Sequence, residues 1–311
     1  MPVHNDGEGR AAYQPMDDIL HVPISACIPQ HRNITVLHYM STVASAFQTL
    51  SRARVLSAPV MKPNDLGMIQ WIALVSYHDL LLFLATRPDR EEAMNTTLEK
   101  VVNAAGSPPL QVEERCRILD AIKFLSSIGR MHRCIVKLEN DPRGYTIVSQ
   151  SDINRYVVGN LFQTPELKRF GDVHLADLGF TSKKPISIDI SATLSDAIQT
   201  MARKHVSCLA IVDHGGRLVG NFSPSDLRGF GEELARMFSE KVIDILKRHV
   251  SDPLTPVSVS ATESLGVLMA RMANSKLHHV WIEDPSGKPE GLITLTDICN
   301  LLIKFSPLPK Q

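Results

Sequence analysis

The sequence predicts an α+β fold built from four β-α-β-β-α units in tandem. Three observations carry that prediction. A tetrad with a hydroxyl residue three before an aspartate recurs near the quarter-points of the 311-residue chain: Ser76-Tyr77-His78-Asp79, Ser149-Gln150-Ser151-Asp152, Ser223-Pro224-Ser225-Asp226 and Thr294-Leu295-Thr296-Asp297. Its aspartates stand 73, 74 and 71 residues apart, and a fixed period marks one supersecondary unit used repeatedly. The same order of apolar patterns leads into each tetrad.

The third unit shows that order most clearly. Residues 185–188 alternate apolar and polar, a short strand. Ser191 and Thr193 offer N-cap hydroxyls, and Leu194, Ala197, Ile198 and Met201 follow at helical spacing. Residues 209–213 read as a buried strand, His214-Gly215-Gly216 as a tight turn and residues 218–222 as the return strand. The tetrad then opens a second helix, which Gly229 and Gly231 soon end.

The other units match this order. The first has a strand over 33–36, then Val43, Ala46, Phe47 and Leu50 on a helix face, and strands around Pro59-Val60 and 72–75. The second has a strand over 109–112, then Ile118, Ala121, Ile122 and Leu125, and strands over 134–138 and 145–148. The fourth has a strand over 256–259, then Leu265, Leu268, Met269 and Met272, and strands over 280–283 and around Leu292-Ile293. From the opening Asn or Pro to the tetrad Asp is 46, 43, 41 and 41 residues, so the first unit carries an insertion, expected in its hairpin. Residues 87–102 and 172–178 read as short lead-in helices. The polar stretch 162–171 is the expected boundary between two halves of two units each, since one unit is too small for its own core. The expected divisions are a flexible tail over 1–20, a first half over 21–165 and a second over 166–311.

Composition bounds the function. With 44 % apolar and 21 % charged residues the chain can bury a core. Thirty-three basic residues balance thirty-three acidic ones, which argues against general nucleic-acid binding. Five scattered cysteines without a CxxC fit a reducing compartment. The polar N-terminus has no signal-peptide pattern and the longest apolar run is broken by His78 and Asp79, so no membrane association is expected. Nucleotide-phosphate loops, nucleophile elbows and zinc-protease motifs are missing, so no enzyme, metal or catalytic residue is expected. Cys27 with His31, and His132 with Cys134, lack further ligands at zinc spacing.

The tetrads carry the candidate chemistry. Structurally, each is a capping box that starts a helix. Functionally, an ionised Asp accepts hydrogen bonds from a diol while the helix N-terminus attracts phosphate. The two readings are compatible, and Asp226 and Asp297 sit in the most regular units.

These units resemble cystathionine-β-synthase (CBS) repeats, and four in one chain resemble the gamma subunit of AMP-activated protein kinase. The likeness spans residues 24–305. Beyond the tetrads it rests on His132-Arg133 and His278-His279, where that family carries a His-Arg pair, on Val206-Ser207-Cys208 and on Ser57-Ala58-Pro59. It implies two Bateman modules in a pseudo-symmetric disc, with AMP, ADP or ATP in clefts facing the centre. Ribose hydroxyls would go to Asp79, Asp152, Asp226 and Asp297. Phosphate would lie near Ser76, Ser149, Ser151, Ser207, Ser223, Ser225, Thr294, Thr296, His132, Arg133, His278 and His279. On residues alone, Arg133 is also compatible with a surface ion pair, and at least one of His278 and His279 reads better as an ordinary core or solvated histidine. The chain departs from the family at Leu56, in place of a phosphate-binding Arg, and at His279, in place of the second Arg. It keeps all four aspartates.

The resemblance further implies a nucleotide-sensing regulatory subunit, cytoplasmic and also nuclear, held with a kinase catalytic subunit and a beta-type scaffold. The alternative is a stand-alone CBS scaffold or adenosyl-ligand sensor without a kinase. Residues 19–28 could add an edge strand to a beta-type partner, or pack on their own module.

Overall fold

The structure is a computed structural model and describes residues 19–29, 33–105, 109–127, 132–163, 165–182, 184–248 and 256–306. His31 and most of the expected tail, residues 1–18, lie outside the described residues. Four three-stranded sheets follow one another, each with a short first strand parallel to the second and the second antiparallel to the third. The strands are β1 Leu37–His38, β2 Ser57–Pro63, β3 Ile69–Ser76, β4 Gln111–Glu113, β5 Arg133–Lys137, β6 Tyr145–Ser149, β7 Ser187–Asp189, β8 Leu209–Val212, β9 Leu218–Phe222, β10 Ser258–Ser260, β11 His279–Glu283 and β12 Pro289–Thr294. A helix crosses over between the first and second strand of each sheet: Val43–Arg52, Ile118–Ser127, Leu194–Lys204 and Leu265–Asn274. This is the predicted β-α-β-β order in all four repeats.

Three local differences have physical causes. The first strands of repeats two, three and four start two residues later than expected. Each opens on a proline, which has no N–H to donate and so precedes the ladder. In repeat one, residues 33–36 stay outside the ladder, and pairing begins where Leu37 buries its side chain against Val60. The helix after the third tetrad is only a 3-10 turn, Pro224–Leu227, because Gly229 and Gly231 then take φ of 110° and 54°. The extra length of repeat one lies in its hairpin, where β2 and β3 run seven and eight residues.

The stretch expected as a loose boundary is the helix Pro165–Asp172, held by buried Leu167 and Phe170. It lies close on the helix Leu265–Asn274: a Cβ on Gly266 would come within 3.1 Å of the Gly171 Cα. The expected helix over 87–102 is split into Arg90–Met94 and Leu98–Ala105. The helix expected over 172–178 is the 3-10 turn Leu175–Leu178.

These lead-in segments are exchanged between repeats. The segment ahead of repeat two bonds to repeat one through the bridge Thr42–Thr97. The segment ahead of repeat four bonds to repeat three through Thr193–Lys241, and that ahead of repeat three bonds to repeat four through His174–Ser264. Residues 19–28 follow the same rule. Pro23 bridges Arg117, the Ile24 N–H donates to the Cys116 carbonyl at 2.6 Å, and Ile24–Cys27 forms a 3-10 turn on repeat two. This segment therefore packs inward and is not an edge strand. The tail ends earlier than expected, since Ile19 and Leu20 are already buried.

Two large apolar cores result, and each joins repeats that are not consecutive. One unites repeats one and three, around Phe47, Leu80, Leu84, Met201, Phe222 and Phe238. The other unites repeats two and four with residues 19–27, around Ile122, Ile153, Leu268, Met272 and Leu302. Consecutive repeats meet instead through their sheets. Cys208, Ala210 and Leu218 of repeat three enclose Trp281 of repeat four, and Trp71 of repeat one packs edge-on against Tyr145 of repeat two at 5.5 Å.

Candidate functional site

Every tetrad is folded as a capping box, and the reason is local. The hydroxyl residue is extended, so its side chain and its own N–H both face the Asp three residues on. The hydroxyl donates to the Asp Oδ2 at 2.6 Å in Ser76, Ser149 and Thr294 and at 2.9 Å in Ser223. The backbone N–H of the same residues donates to that oxygen at 2.9, 2.9, 2.8 and 2.6 Å respectively. One carboxylate oxygen is thus spent on the fold, and the other decides whether the Asp can hold a ligand.

Here the tetrads diverge. Asp152 is buried, and its Oδ1 accepts from Arg155 Nη1 at 3.1 Å. No donor takes Oδ1 of Asp79, Asp226 or Asp297 among the described residues. Asp226 lies in surroundings that raise its pKa by desolvation, against the lowering effect of its bonds from Ser223. The Ser223 and Ser225 hydroxyls touch at 2.5 Å. Ser151 is half-buried and Ser207 is exposed.

The centre is where repeats two, three and four meet. Thr296 Oγ1 of the fourth tetrad donates to Gln150 Oε1 of the second at 3.2 Å and lies 3.5 Å from His132 Nδ1. His132 is lowered in pKa by desolvation and by Arg133, and Gln150 and Asp79 act in the opposite sense. His278 is lowered to about 4, first by burial and then by the charges of Arg133, His132 and Arg228. Two arginines and His132 thus act electrostatically on His278, and Asp79 of the first tetrad acts on His132. Cys208 lies near Asp226 and Asp297; burial pushes its thiol up to about 12, which removes it as a nucleophile.

The candidate His279 takes another role. Its Nε2 meets Asn221 Oδ1 at 2.6 Å, and the same oxygen accepts from Trp281 Nε1 at 3.0 Å. Adjacent strand residues face opposite ways, so His278 joins the centre while His279 locks the sheets of repeats three and four. Sequence reasoning missed Arg228, Gln150, Asn221 and Arg155. Arg155 had a signal, since it stands three after Asp152 on a helix. Arg228 had none, because its hydrogen-bond partner comes from another repeat. It reaches repeat one, donating from Nη1 to the Arg54 carbonyl at 3.3 Å.

With that geometry in view, likenesses to known proteins become informative. The CBS domain family model matches residues 175–233 and 242–304, the third and fourth repeats. The first two repeats have the same fold. The third and fourth repeats are thus CBS domains, and the chain as a whole resembles a CBS-repeat protein. Curated relatives of the chain include Protein SDS23 of Candida albicans, 23 % identical over 88 % of this chain and 50 % of that one. Another is the SNF1-related protein kinase regulatory subunit gamma-like PV42b of Arabidopsis thaliana, 22 % identical over 90 % of each. The chain spans 50 % and 62 % of the length of the SDS23 proteins of Candida albicans and Kluyveromyces lactis. Among solved structures, an archaeal homologue of g-AMPK from Methanocaldococcus jannaschii superposes with a TM-score of 0.72. It is 14 % identical, over 90 % of this chain and 99 % of that one. At that identity the likeness concerns the fold alone. Among the described residues no helix is long and apolar enough to cross a membrane.

Proposed function

We propose that this CBS-repeat protein is a non-catalytic, adenine-nucleotide-sensing regulatory subunit of gamma type, working with a Snf/AMP-activated kinase catalytic subunit and a beta-type scaffold in the cytoplasm and nucleus. The observation that carries the reading is the centre itself. The charges of Arg133, Arg228 and His132 all act on His278, and Asp79, Asp226 and Asp297 each have a carboxylate oxygen that the capping box leaves unbonded among the described residues. Cations for phosphate beside carboxylates for a ribose diol are the chemistry a nucleoside phosphate needs. Residues 21–165 and 166–311 act in this reading as two modules. Nucleotide bound more tightly by one arrangement of the modules shifts their population, and a partner reads that shift.

A second reading has its own support. Asp152 is saturated by Arg155, and His279 by Asn221, and filled sites of this kind suit a stand-alone scaffold or a sensor of another adenosyl ligand. Calorimetric titration of the purified chain with AMP, ADP, ATP and S-adenosylmethionine separates the two. The first reading expects saturable binding of at least one adenine nucleotide, and no binding of any refutes it. Affinity purification of the native protein then tests the kinase and the beta-type partner, and recovery of the chain alone or with its own copies favours the stand-alone role.

A further inference from the structure

We propose that Arg228 is a phosphate-contacting residue of this site, reaching from the third repeat toward the first and making the site discriminate phosphorylated adenosine from the bare nucleoside. The inference rests on the adenine-nucleotide reading above and adds to it a residue outside every recurring motif.

Four observations place Arg228. It is two residues beyond Asp226, where the 3-10 turn Pro224–Leu227 ends and the backbone becomes extended at φ −61° and ψ 125°. Gly229 then takes φ 110°, which most side chains do not tolerate. The chain therefore turns sharply at this point. The Arg228 side chain leaves its own repeat, and Nη1 donates to the Arg54 carbonyl of repeat one at 3.3 Å. Its Nε is enclosed by protein and has no hydrogen-bond partner among the described residues.

That last atom is the informative one. A buried guanidinium N–H without an acceptor is costly, and no carboxylate lies within ion-pair distance of Arg228 among the described residues. The surroundings add to the cost, because the Arg228 and Arg133 charges both act on the same buried, neutral His278. Like charges held together without an anion repel. An acceptor rich in oxygen and carrying negative charge would relieve both penalties, and a planar guanidinium with a spare N–H suits a phosphate better than a point charge does. Asp226 feels the Arg228 charge but does not fill that role, because it bonds to Ser223 and is not within ion-pair distance of the guanidinium. Tyr77, inside the first tetrad, lies close enough to feel the Arg228 charge. The residue thus stands between the first and third tetrads, where a phosphate esterified to a ribose at either would lie.

The purely structural alternative is that Arg228 only ties repeat one to repeat three. Calorimetry of the wild-type chain, Arg228→Leu and Arg228→Lys with AMP and with adenosine decides between them. In Arg228→Leu, AMP affinity is expected to fall by tenfold to a hundredfold, the loss of a charge-assisted hydrogen bond, while adenosine affinity stays within about twofold. Arg228→Lys keeps a charge without the fork and is expected to lose AMP affinity by a few fold. It also serves as the test should the Leu variant lose its thermal transition. AMP binding unchanged in both variants, or AMP and adenosine weakened equally, overturns the inference. Wild-type chain that binds neither ligand refutes the adenine-nucleotide reading itself, and the inference falls with it.

Discussion

The two places where consecutive repeats meet, sheet against sheet, are built on a tryptophan each, and they differ. Between repeats three and four, Trp281 is fully enclosed and its Nε1 bonds to Asn221, which also holds His279. The hairpins close over it where the Leu218 N–H donates to the Gly287 carbonyl at 2.8 Å. Between repeats one and two, Trp71 is buried but its Nε1 has no partner among the described residues. Beside it a groove of about 830 Å³ opens between the longer first hairpin and repeat two, lined by Met68, Ile69, Gln70, Gln111 and Tyr145. The difference teaches that the repeated fold fixes where the sheets meet but not how well they seal. Sealing comes from one polar residue, Asn221, and from hairpin length.

The largest expected effect follows from the sealed side. Trp281→Ala empties a fully packed site and strands Asn221 and His279, so it is expected to destabilise by about 3–5 kcal/mol. Trp71→Ala is expected to cost less, because its void merges with an open groove and no bond is lost. Urea midpoints of the two variants at constant m-value check this. Equal losses would erase the distinction between the two faces.

Acid should act on the same side. His279 is held at about 4 by burial and by His278, and His278 at about 4 by burial and nearby Arg133, His132 and Arg228. An unfolded histidine titrates near 6.5. As pH falls below 6.5 the unfolded chain takes up protons that the folded chain refuses, so stability is full above that value. It declines down to about 4 and then levels. Each histidine alone accounts for roughly 3 kcal/mol across that window. Asp226, raised by desolvation, runs in the opposite sense: its contribution is present at low pH and is lost as pH rises through its folded pKa. Hydrogen exchange at pH 7 and pH 5 should show protection lost first in β8, β9, β11 and β12. Loss beginning in β2 and β3 would contradict the assignment.

The tetrads sharpen the comparison one by one. Asp297 has a carboxylate oxygen to offer, and Asp297→Ala is expected to weaken AMP binding by tenfold to a hundredfold, the equivalent of about 1.5–3 kcal/mol. Asp152 is committed to Arg155 and Ser149. Asp152→Ala is therefore expected to leave AMP affinity within a few fold and to lower stability by about 1 kcal/mol, the usual worth of a cap. Calorimetry paired with thermal melting reads both. An Asp152 variant that loses AMP as strongly as the Asp297 variant would put a ligand in the second tetrad.

Much of this was legible in the sequence because it is local. Period, alternation and helical spacing give the strands, the crossover helices and the capping boxes, since each depends on neighbours a few residues away. The extra length of the first hairpin was readable from a residue count. What was not legible is non-local. The exchange of lead-in segments puts residues 19–28 on repeat two, and residues 162–171, polar enough to suggest a linker, bury Leu167 and Phe170 against repeat four. In the site, the Asp and hydroxyl positions could be read. Arg228 could not, because its partners lie about 95 to 175 residues upstream or 50 downstream, and no periodicity connects them.

The smallest expected effect is also the sharpest on the two faces. Trp71→Phe removes a buried N–H that has no acceptor and keeps an aromatic ring against Tyr145. The volume lost borders a groove that already admits solvent, so the gain from deleting an unsatisfied donor offsets the loss of packing. The net change is expected to stay within about 0.5–1 kcal/mol. Trp281→Phe makes the same chemical change where Nε1 is bonded to Asn221 and the cluster is closed. It leaves Asn221 half-satisfied and opens a void that nothing fills, so a loss of about 1–3 kcal/mol is expected. Ring size changes equally in both variants, so their difference reports the Asn221 hydrogen bond together with the closure of the site around it. Matching melting temperatures would mean that Asn221 does not seal the sheets, and that the groove beside Trp71 owes its opening to hairpin length alone.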